Sequence, residues 1–371
     1  MTTQRRKFLA QSALSSVSAV ALASCRQQTA SVKTEASDSH TAIQWRMATS
    51  WPKQLDILFG GAEQLCSRVK EITQGKFLIT PYPSGEIAPG LEVLDVVAAG
   101  EVECGHTASY YYTDKEPALA FGTTVPFGLT SNQQNAWLYY GGGLEAIQSI
   151  YKKFGVINFP AGNTGVQMGG WFRKQIQHPQ DLKQLKMRIP GLGGKVMQRL
   201  GVDVQVLSAD AIASALLAGE IDAAEWNNPY DDEKIGIAKA APYCYYPGWW
   251  EPGATYELQV NLEKWNALPA SFQEVLKVAA AEVNVAMSAN YNAKNGLAIE
   301  RIQQNGTQVI PFSHNILEAA YQETLALYEE YATAEPFQSI YRQWLQFREE
   351  IYSWNRINLL SFDQFVMNPS I

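Results

Sequence analysis

The chain has 371 residues, of which 46% are hydrophobic, and its 36 acidic side chains outnumber its 29 lysines and arginines to give a formal net charge of −7. This charge, without a basic cluster beyond the first residues, argues against a nucleic-acid partner. The length exceeds what one compact core usually holds, so we expect two lobes.

The amino terminus is typical of an export signal. Arg5 and Arg6 form a twin-arginine pattern, and the apolar run that follows is too short to span a bilayer. Cys25 closes this segment in the manner of a bacterial lipoprotein box, although plain cleavage after small residues competes with lipidation. We therefore predict a leader over 1–25, a lipid anchor at Cys25, and a polar, flexible spacer over 26–42.

Strands and helices alternate in the first part of the body. Helix-spaced apolar residues, together with glycines and prolines, mark where the elements begin and end. The predicted order is a strand over 44–49, a helix over 55–73, a strand over 76–80, a helix over 91–99 and a strand over 102–107. This alternation is the pattern of a parallel sheet with helices on its faces.

The same alternation restarts further along the chain, and the last third is helical. The second series comprises strands over 187–189, 204–206 and 221–225 with helices over 194–200 and 209–218, and long helices follow over 271–304 and from 315 to about 352. We predict an α/β, two-lobed architecture with a cleft between the lobes. The predicted boundaries are 43–164 for the first lobe with a return segment over 255–312, 165–254 for the second lobe, and 313–371 for a helical region that forms a dimer contact.

Polar side chains lie where ligands of α/β folds bind, outside the carboxyl ends of the strands. Arg188, Glu225 and the segment around Tyr110 all fall at or just after predicted strands. A guanidinium can grip a planar carboxylate with two parallel hydrogen bonds, and Tyr110 or Tyr111 is a candidate hydroxyl donor. Amide and carboxylate oxygens, such as those of Glu225 and Glu251, can together hold a hard cation. We infer a pocket for a small organic acid with a bound metal ion, which does no chemistry on its ligand.

The other reactive residues have simpler explanations. The histidines are scattered without metal-ligand spacing, and only His106 lies near a predicted strand end. Cys66, Cys104 and Cys244 contain no CxxC pair, and the sequence leaves undecided whether two of them form a disulfide. The acidic run 231–233 is typical of a solvated helix start. The aromatic clusters are explained either by core packing or by a sugar-stacking cleft.

Longer motifs resemble the extracytoplasmic solute receptors of tripartite ATP-independent periplasmic (TRAP) transporters, above all the subgroup that binds 2-oxoacids and lactate. The resemblance extends from about residue 45 to about residue 312. The stretches that carry it are 48–52 (ATSWP), 83–86 (PSGE), 105–108 with the tyrosines at 110–112, 126–129 (PFGL), 135–143 (NAWLYYGGG), 162–173, 222–225 (DAAE), 229–234 (PYDDEK) and 246–251 (YPGWWE).

This resemblance implies a type II-like periplasmic solute-binding protein whose two α/β lobes close on a carboxylate. It also implies TRAP membrane subunits as partners and a homodimer formed by the final helices. The site residues that it implies are Arg188 for the ligand carboxylate, the Gln167 side chain, Glu225, Glu251 and the Trp226 carbonyl for the metal, and Asn163 and Tyr110 for further hydrogen bonds to the ligand. The sequence has two amides, Asn227 and Asn228, whose role the resemblance does not explain.

The charges of the implied site favour calcium over sodium. Arg188 and a monocarboxylate cancel, which leaves the two negative charges of Glu225 and Glu251 to repel each other unless a cation lies between them. A divalent ion brings the sum to zero, whereas sodium leaves one negative charge. The implied ligands are all oxygens, which argues against zinc or copper. The alternative functions are a metal-dependent enzyme acting on a small organic acid and a carbohydrate receptor that uses its tryptophans.

Overall fold

The structure is a computed structural model, and it describes residues 42–367. The predicted leader over 1–25, with Cys25, and most of the predicted spacer over 26–42 lie outside the described residues. Among the described residues, no helix combines the length and the apolar composition that crossing a membrane requires. The three cysteines at 66, 104 and 244 are buried free thiols, so none of them forms the disulfide that the sequence left open.

Strands and helices alternate along most of the described chain. The strands are β1 (Ile43–Thr49), β2 (Phe77–Tyr82), β3 (Cys104–Thr107), β4 (Val156–Asn163), β5 (Trp171–Phe172), β6 (Lys186–Arg188), β7 (Asp203–Gln205), β8 (Ala223–Ala224), β9 (Tyr243–Tyr246), β10 (Thr255–Asn261) and β11 (Gln308–Pro311). The helices are α1 (Leu58–Ile72), α2 (Val93–Ala98), α3 (Ala120–Thr123), α4 (Ser131–Tyr140), α5 (Gly143–Tyr151), α6 (Gly191–Arg199), α7 (Ala209–Ala218), α8 (Pro229–Ile235), α9 (Ile237–Ala240), α10 (Leu262–Ala267), α11 (Ala270–Gln304), α12 (His314–Tyr331), α13 (Phe337–Ile357) and α14 (Leu359–Met367).

The first sheet has five strands in the order β2-β1-β3-β10-β4. β1 pairs in parallel with β2 and β3, whereas β10 lies antiparallel between β3 and β4. Every residue of β4 and β10 is buried; β10 lies inside the sheet, and β4, at its edge, is covered by α5 and α11. These directions bring the carboxyl ends of β3 and β4 and the start of β10 to the same edge of the sheet.

The second sheet has six strands in the order β11-β9-β5-β8-β6-β7. β6 pairs in parallel with β7 and β8, and β5 is antiparallel to both β8 and β9. The ends of β6, β8 and β9 and the start of β5 therefore lie at one edge. The sequence places 308–311 in the return segment of the first lobe, but β11 pairs in parallel with β9 of the second sheet.

The long helix α11 lies against both halves of the molecule. It packs on β4 and α1 on the side of the first sheet and on α8 on the side of the second. Its buried residues recur three or four positions apart, as one face of a helix requires, and they include Leu276, Val283, Met287 and Tyr291. After α11, the chain joins the second sheet as β11, so it passes between the two sheets three times.

The final helices bury only part of their apolar surface. Tyr328, Phe337 and Trp344 pack together, and Phe121 of α3 contacts both Phe337 and Trp344. By contrast, α14 has no buried residue, and its large apolar side chains are exposed. The predicted helical stretch from 315 to about 352 forms two helices, α12 and α13, with the break just before Phe337.

Candidate ligand and cation site

Arg188 is the last residue of β6 and is 1% exposed. Its Nη1 atom donates to the Glu225 carbonyl at 2.7 Å and to Glu225 Oε2 at 2.8 Å, and its Nε atom donates to the Leu207 carbonyl at 3.0 Å. Among the described residues, Nη2 has no hydrogen-bond partner. The protein thus fixes the plane of the guanidinium and leaves one of its nitrogens available to a ligand.

Glu225 is next to Arg188 because β6 and β8 are parallel neighbours whose carboxyl ends meet. Glu251 approaches from the loop after β9, and its backbone carbonyl accepts a hydrogen bond from Gln167 N at 3.2 Å. This approach depends on Gly248, because a Cβ atom there would lie 2.5 Å from the Gln167 carbonyl oxygen. The strand ends and the two loops therefore converge on one place.

Three oxygens around this place are buried without a donor among the described residues. They are Glu225 Oε1, Glu251 Oε2 and Gln167 Oε1, and each belongs to a side chain no more than 4% exposed. The Gln167 amide nitrogen donates to Thr164 Oγ1 at 3.2 Å, which orients its oxygen. Buried polar atoms are normally paired, so a set of three acceptors and one guanidinium donor is the arrangement of a binding site.

The electrostatics of the site also indicate a missing positive charge. Burial raises the pKa of Glu225 well above its usual value; Glu251 raises it further and Arg188 lowers it. Burial likewise raises the pKa of Glu251 to about 8, with Arg188 acting in the opposite direction. A cation between the two carboxylates would favour their ionised forms.

The donor atoms fit a hard cation. Carboxylate and amide oxygens are ligands of calcium and sodium rather than of zinc or copper. No three His, Cys, Asp or Glu side chains within residues 42–367 come together as a metal site, so the two carboxylates here need the Gln167 oxygen and a backbone carbonyl to complete a shell. Trp226, which follows Glu225, is 5% exposed, and its indole ring lies 5.2 Å from Arg188 Cζ.

Tyr110 and Tyr111 lie in the turn that follows β3, on the opposite side of the cleft from Arg188. Their rings meet edge to face with centroids 4.8 Å apart. Burial raises the pKa of Tyr111 to about 12, so its hydroxyl stays protonated and able to donate. A cavity of about 360 Å³ opens beside them, between the 110–114 turn and α6. Arg188 and the two glutamates do not line this cavity, and all three are at most 4% exposed.

The ligand contact that the resemblance implies for Asn163 stays a prediction, and the side chain also makes hydrogen bonds within the protein. Its amide nitrogen donates to Thr255 Oγ1 at 2.9 Å and to the Gly253 carbonyl at 3.3 Å, and its amide oxygen accepts from Gly165 N at 2.8 Å. A hydrogen bond donated to a ligand would displace one of the two acceptors of the amide nitrogen, whereas the amide oxygen can accept one more hydrogen bond. In this structure the side chain shapes the turn that leads to Gln167.

His106 is a buried structural residue. Trp51 Nε1 donates to His106 Nδ1 at 2.6 Å, and His106 Nε2 bonds to the Ala161 carbonyl at 2.9 Å. Burial lowers its pKa to about 4, so the ring is neutral at physiological pH.

The acidic run 231–233 is not the solvated helix start that the sequence suggests. Asp231 and Asp232 are at most 1% exposed, and Asp232 Oδ2 accepts from Trp171 Nε1 at 2.7 Å. Asn227 donates to Asp231 at 3.0 Å, and Asn228 donates to the Thr164 carbonyl at 2.7 Å. These residues hold the segment after Glu225 to the rest of the fold, and nothing in their spacing distinguishes them from an exposed acidic helix start.

Comparison with known proteins decides the family. The family model of bacterial extracellular solute-binding proteins, family 7 (DctP), matches residues 47–334. The chain belongs to this family. The resemblance to TRAP solute receptors is thereby confirmed, and the family is one of binding proteins, so the alternative of a metal-dependent enzyme is not supported.

Relatives of the chain are similar over nearly their whole length. A monocarboxylate 2-oxoacid-binding periplasmic protein from Nostoc sp. is 54% identical over 364 residues, which are 98% of each chain. A TRAP transporter solute-binding protein from Bordetella bronchiseptica, a mixed-occupancy dimer with copurified calcium and picolinate in one active site, is 43% identical with a TM-score of 0.87, over 88% of this chain and 97% of that one.

A second solved relative, from Pseudoalteromonas atlantica, has bound sodium and pyruvate. It is 34% identical with a TM-score of 0.85, over 87% of this chain and 99% of that one. A third, from Colwellia psychrerythraea, has bound calcium and pyruvate and is 35% identical with a TM-score of 0.84, over 87% and 100% of the two chains. These likenesses confirm the predicted two-lobed α/β class with long carboxyl-terminal helices.

Proposed function

We propose that this protein is the periplasmic receptor of a TRAP transporter that captures a small monocarboxylate. The ligand is a 2-oxoacid such as pyruvate, or a lactate-like 2-hydroxy acid, bound together with a calcium or sodium ion. The observation that carries the proposal is the set of four buried polar atoms without partners, on Arg188, Gln167, Glu225 and Glu251. The pyruvate complexes of two relatives, with calcium in one and sodium in the other, support the same ligand class.

Each unpaired atom has a role in the proposed complex. Arg188 Nη2 donates to the ligand carboxylate, and the hydroxyl of Tyr110 or Tyr111 adds a second donor. The oxygens of Gln167, Glu225 and Glu251 hold the cation with the backbone carbonyl of Trp226. The bound cation bridges the protein and the ligand oxygens and offsets the negative charge of the two glutamates, which is one reason to prefer calcium.

We further propose a hinged capture. The first lobe comprises 43–164 and the return strand β10, and the second comprises 165–254 with β11. Ligand contacts from both lobes favour the closed state, since the ligand binds it more tightly than the open state. The closed protein then delivers its ligand to the TRAP membrane subunits.

Isothermal titration calorimetry tests the proposal. We expect purified mature protein to bind pyruvate in calcium, to bind it much more weakly after chelation, and to bind no neutral sugar such as glucose. Undiminished pyruvate affinity after chelation would remove the cation from the mechanism. Tight binding of the sugar instead of the acid would favour the carbohydrate receptor.

A homodimer formed by the final helices is also part of the proposal. α14 contributes nothing to the core, and Phe362, Phe365 and Met367 are at least 62% exposed. Apolar surface of this kind is normally covered by a partner, and the relative from Bordetella bronchiseptica is a dimer. Analytical ultracentrifugation should give a dimer for the parent and a monomer after replacement of Phe362 and Phe365 by serine.

For the leader, we propose export by the twin-arginine route and lipidation at Cys25. Replacement of both Arg5 and Arg6 by lysine should retain the protein in the cytoplasm. Mass spectrometry of the mature protein should find an acylated Cys25 at its amino terminus. An unmodified terminus at another residue would instead indicate plain signal cleavage.

A further inference from the structure

The two amides that follow Trp226 connect the candidate cation site to the long helix α11. Tyr291 of α11 is 0% exposed, and its hydroxyl donates to Asp231 Oδ2 at 2.5 Å. The Asn227 amide nitrogen donates to the same Asp231 oxygen at 3.0 Å and to the Tyr291 hydroxyl oxygen at 3.0 Å, through one N–H that the two acceptors share. Asn227, Asp231 and Tyr291 therefore form a closed ring of hydrogen bonds, which we call the amide ring.

The backbone of Asn227 extends this ring to both parts of the site. Its N–H donates to Asp232 Oδ1 at 3.2 Å, and its carbonyl accepts from Met168 N at 3.2 Å. Met168 directly follows Gln167, and Asn227 directly follows Trp226. One residue thus joins the segment that provides Glu225 and the Trp226 carbonyl to the loop that provides the Gln167 oxygen.

The amide ring is also attached to the part of the fold that touches both lobes. α11 packs against β4 and α1 on one side and α8 on the other, and Asp231 lies in α8. No atom of the ring belongs to the proposed ligand set. Its members are buried by protein rather than exposed to a ligand, so they act on the site through the backbone that they hold.

We propose that Tyr291, through Asn227 and Asp231, is a positioning residue that sets the spacing between the Glu225–Trp226 and Gln167 ligands of the cation. This inference rests on the proposed function. The physical reason is that a hard cation needs its oxygens within a narrow range of distances, and two separate loops hold that range only if something fixes them to each other. The hydroxyl of Tyr291 does so through Asn227 and Asp231, from a helix that packs against both lobes.

The test removes only the hydroxyl group. In Tyr291→Phe, we expect the calcium affinity, measured by calorimetry with saturating pyruvate, to fall about 10–100-fold, as is typical when a group that supports metal ligands is lost. In the cation-free variant, hydrogen exchange of the Asn227 and Met168 backbone amides should become faster than in the cation-free parent. These two amides make the hydrogen bonds that join the 225–227 segment to Asp232 and to the Gln167 loop. Asp231→Asn should change both readouts in the same direction and serves as a second variant if Tyr291→Phe folds poorly.

Tyr151→Phe is the matched control. Tyr151 is also 0% exposed, and its hydroxyl accepts a hydrogen bond from Gln259 at 2.9 Å, far from the cation site in the first lobe. We expect this variant to lose stability while its calcium affinity stays within about twofold of the parent. Equal calcium affinity in Tyr291→Phe and the parent, or an equal loss in Tyr151→Phe, would overturn the inference. If the parent itself bound pyruvate without any cation, the proposed function would fail first, and the two failures are therefore distinguishable.

Discussion

Two clusters of buried carboxylates in this protein are alike in burial and differ in how their oxygens are paired. In the first sheet, Glu257 is 1% exposed, and its two oxygens accept from Asn158 at 3.1 Å and Gln259 at 3.2 Å. In the candidate site, Glu225 and Glu251 are as deeply buried, but each keeps one oxygen without a donor. The atoms without partners around Glu257 are instead neutral amide oxygens, on Asn158 and Gln259.

This difference separates the structural cluster around Glu257 from the binding cluster around Glu225 and Glu251; Asp231 of the amide ring also has one oxygen without a donor among the described residues. A charged oxygen that is buried and unpaired is costly, whereas a paired one contributes to a unique core. The fold tolerates that cost at Glu225 and Glu251 because a cation and a ligand can supply the missing partners. Replacement of glutamate by glutamine should therefore alter the pH dependence of stability at Glu257 and the stabilisation by calcium at Glu251.

The largest effect is expected at Arg188. Arg188→Ala should weaken pyruvate binding by about 2–5 kcal/mol, because it leaves the ligand carboxylate buried and unpaired. Calorimetry measures the change. Arg199→Ala is the control, since Arg199 lies on α6 and pairs at the surface with Glu323 and Glu330. Unchanged affinity in Arg188→Ala would place the carboxylate elsewhere.

The structural cluster around Glu257 should make the free energy of unfolding depend on pH. Burial raises the pKa of Glu257 to about 7, above the ordinary value of 4.5. The folded state then holds the proton more tightly than the unfolded state, so the free energy of unfolding falls as pH rises from about 4.5 to about 7, by up to about 3 kcal/mol. Glu257→Gln should remove this dependence and leave pyruvate affinity unchanged. Denaturant unfolding at several pH values, in chelator, measures it, and an identical pH slope in the variant would contradict the interpretation.

In the binding cluster, replacement of a glutamate by glutamine should change the stabilisation by pyruvate and calcium. At pyruvate and calcium about 100-fold above the dissociation constant, the parent gains about 2.7 kcal/mol of stability. Glu251→Gln should lose most of this gain, yet match the cation-free parent at pH 7, where burial keeps Glu251 protonated with a pKa of about 8. Thermal unfolding with and without calcium measures both values. Full stabilisation of the variant by calcium would exclude Glu251 as a ligand.

The smallest effect is expected at the rim of the cleft. Asp56, just before α1, accepts from the Tyr230 hydroxyl of α8 at 2.9 Å and also pairs with Lys234. This pair joins residues of the two lobes but is partly exposed, so Asp56→Asn should weaken pyruvate binding by less than about 1 kcal/mol. The control is Glu274→Gln, which breaks an exposed pair with Lys277 within α11. An equal effect in both variants would mean that the rim pair does not favour closure.

The sequence predicts the elements and part of the site for local reasons. Alternating strands and helices follow from residue spacing, and the rule that ligands bind at strand ends brings Arg188 and Glu225 to one edge because β6 and β8 are neighbours. Gln167 and the Trp226 carbonyl could be named only through the family resemblance. A single glutamine in a glycine-rich loop belongs to no residue spacing that predicts a cation ligand.

What the sequence could not reveal depends on distant partners. The burial of Asp231 and Asp232 requires Tyr291 and Trp171, each about 60 positions away along the chain. The pairing of β11 with β9 joins residues about 65 positions apart, such as Gln308 and Tyr243, which no local pattern fixes. The engagement of Asn163 by Gly253 and Thr255 is likewise a contact across about 90 residues.

The insertion of β10 between β3 and β4 has a consequence for biosynthesis. Its partner residues lie far back in the chain, as in the pairing of Glu257 with Thr107, so the first sheet cannot close until the ribosome has produced β5 to β9 of the second. Until then, β3 and β4 present unpaired backbone edges to the cytosol, which invite aggregation. The exposure of these edges ends only when β10 is available to pair with both strands.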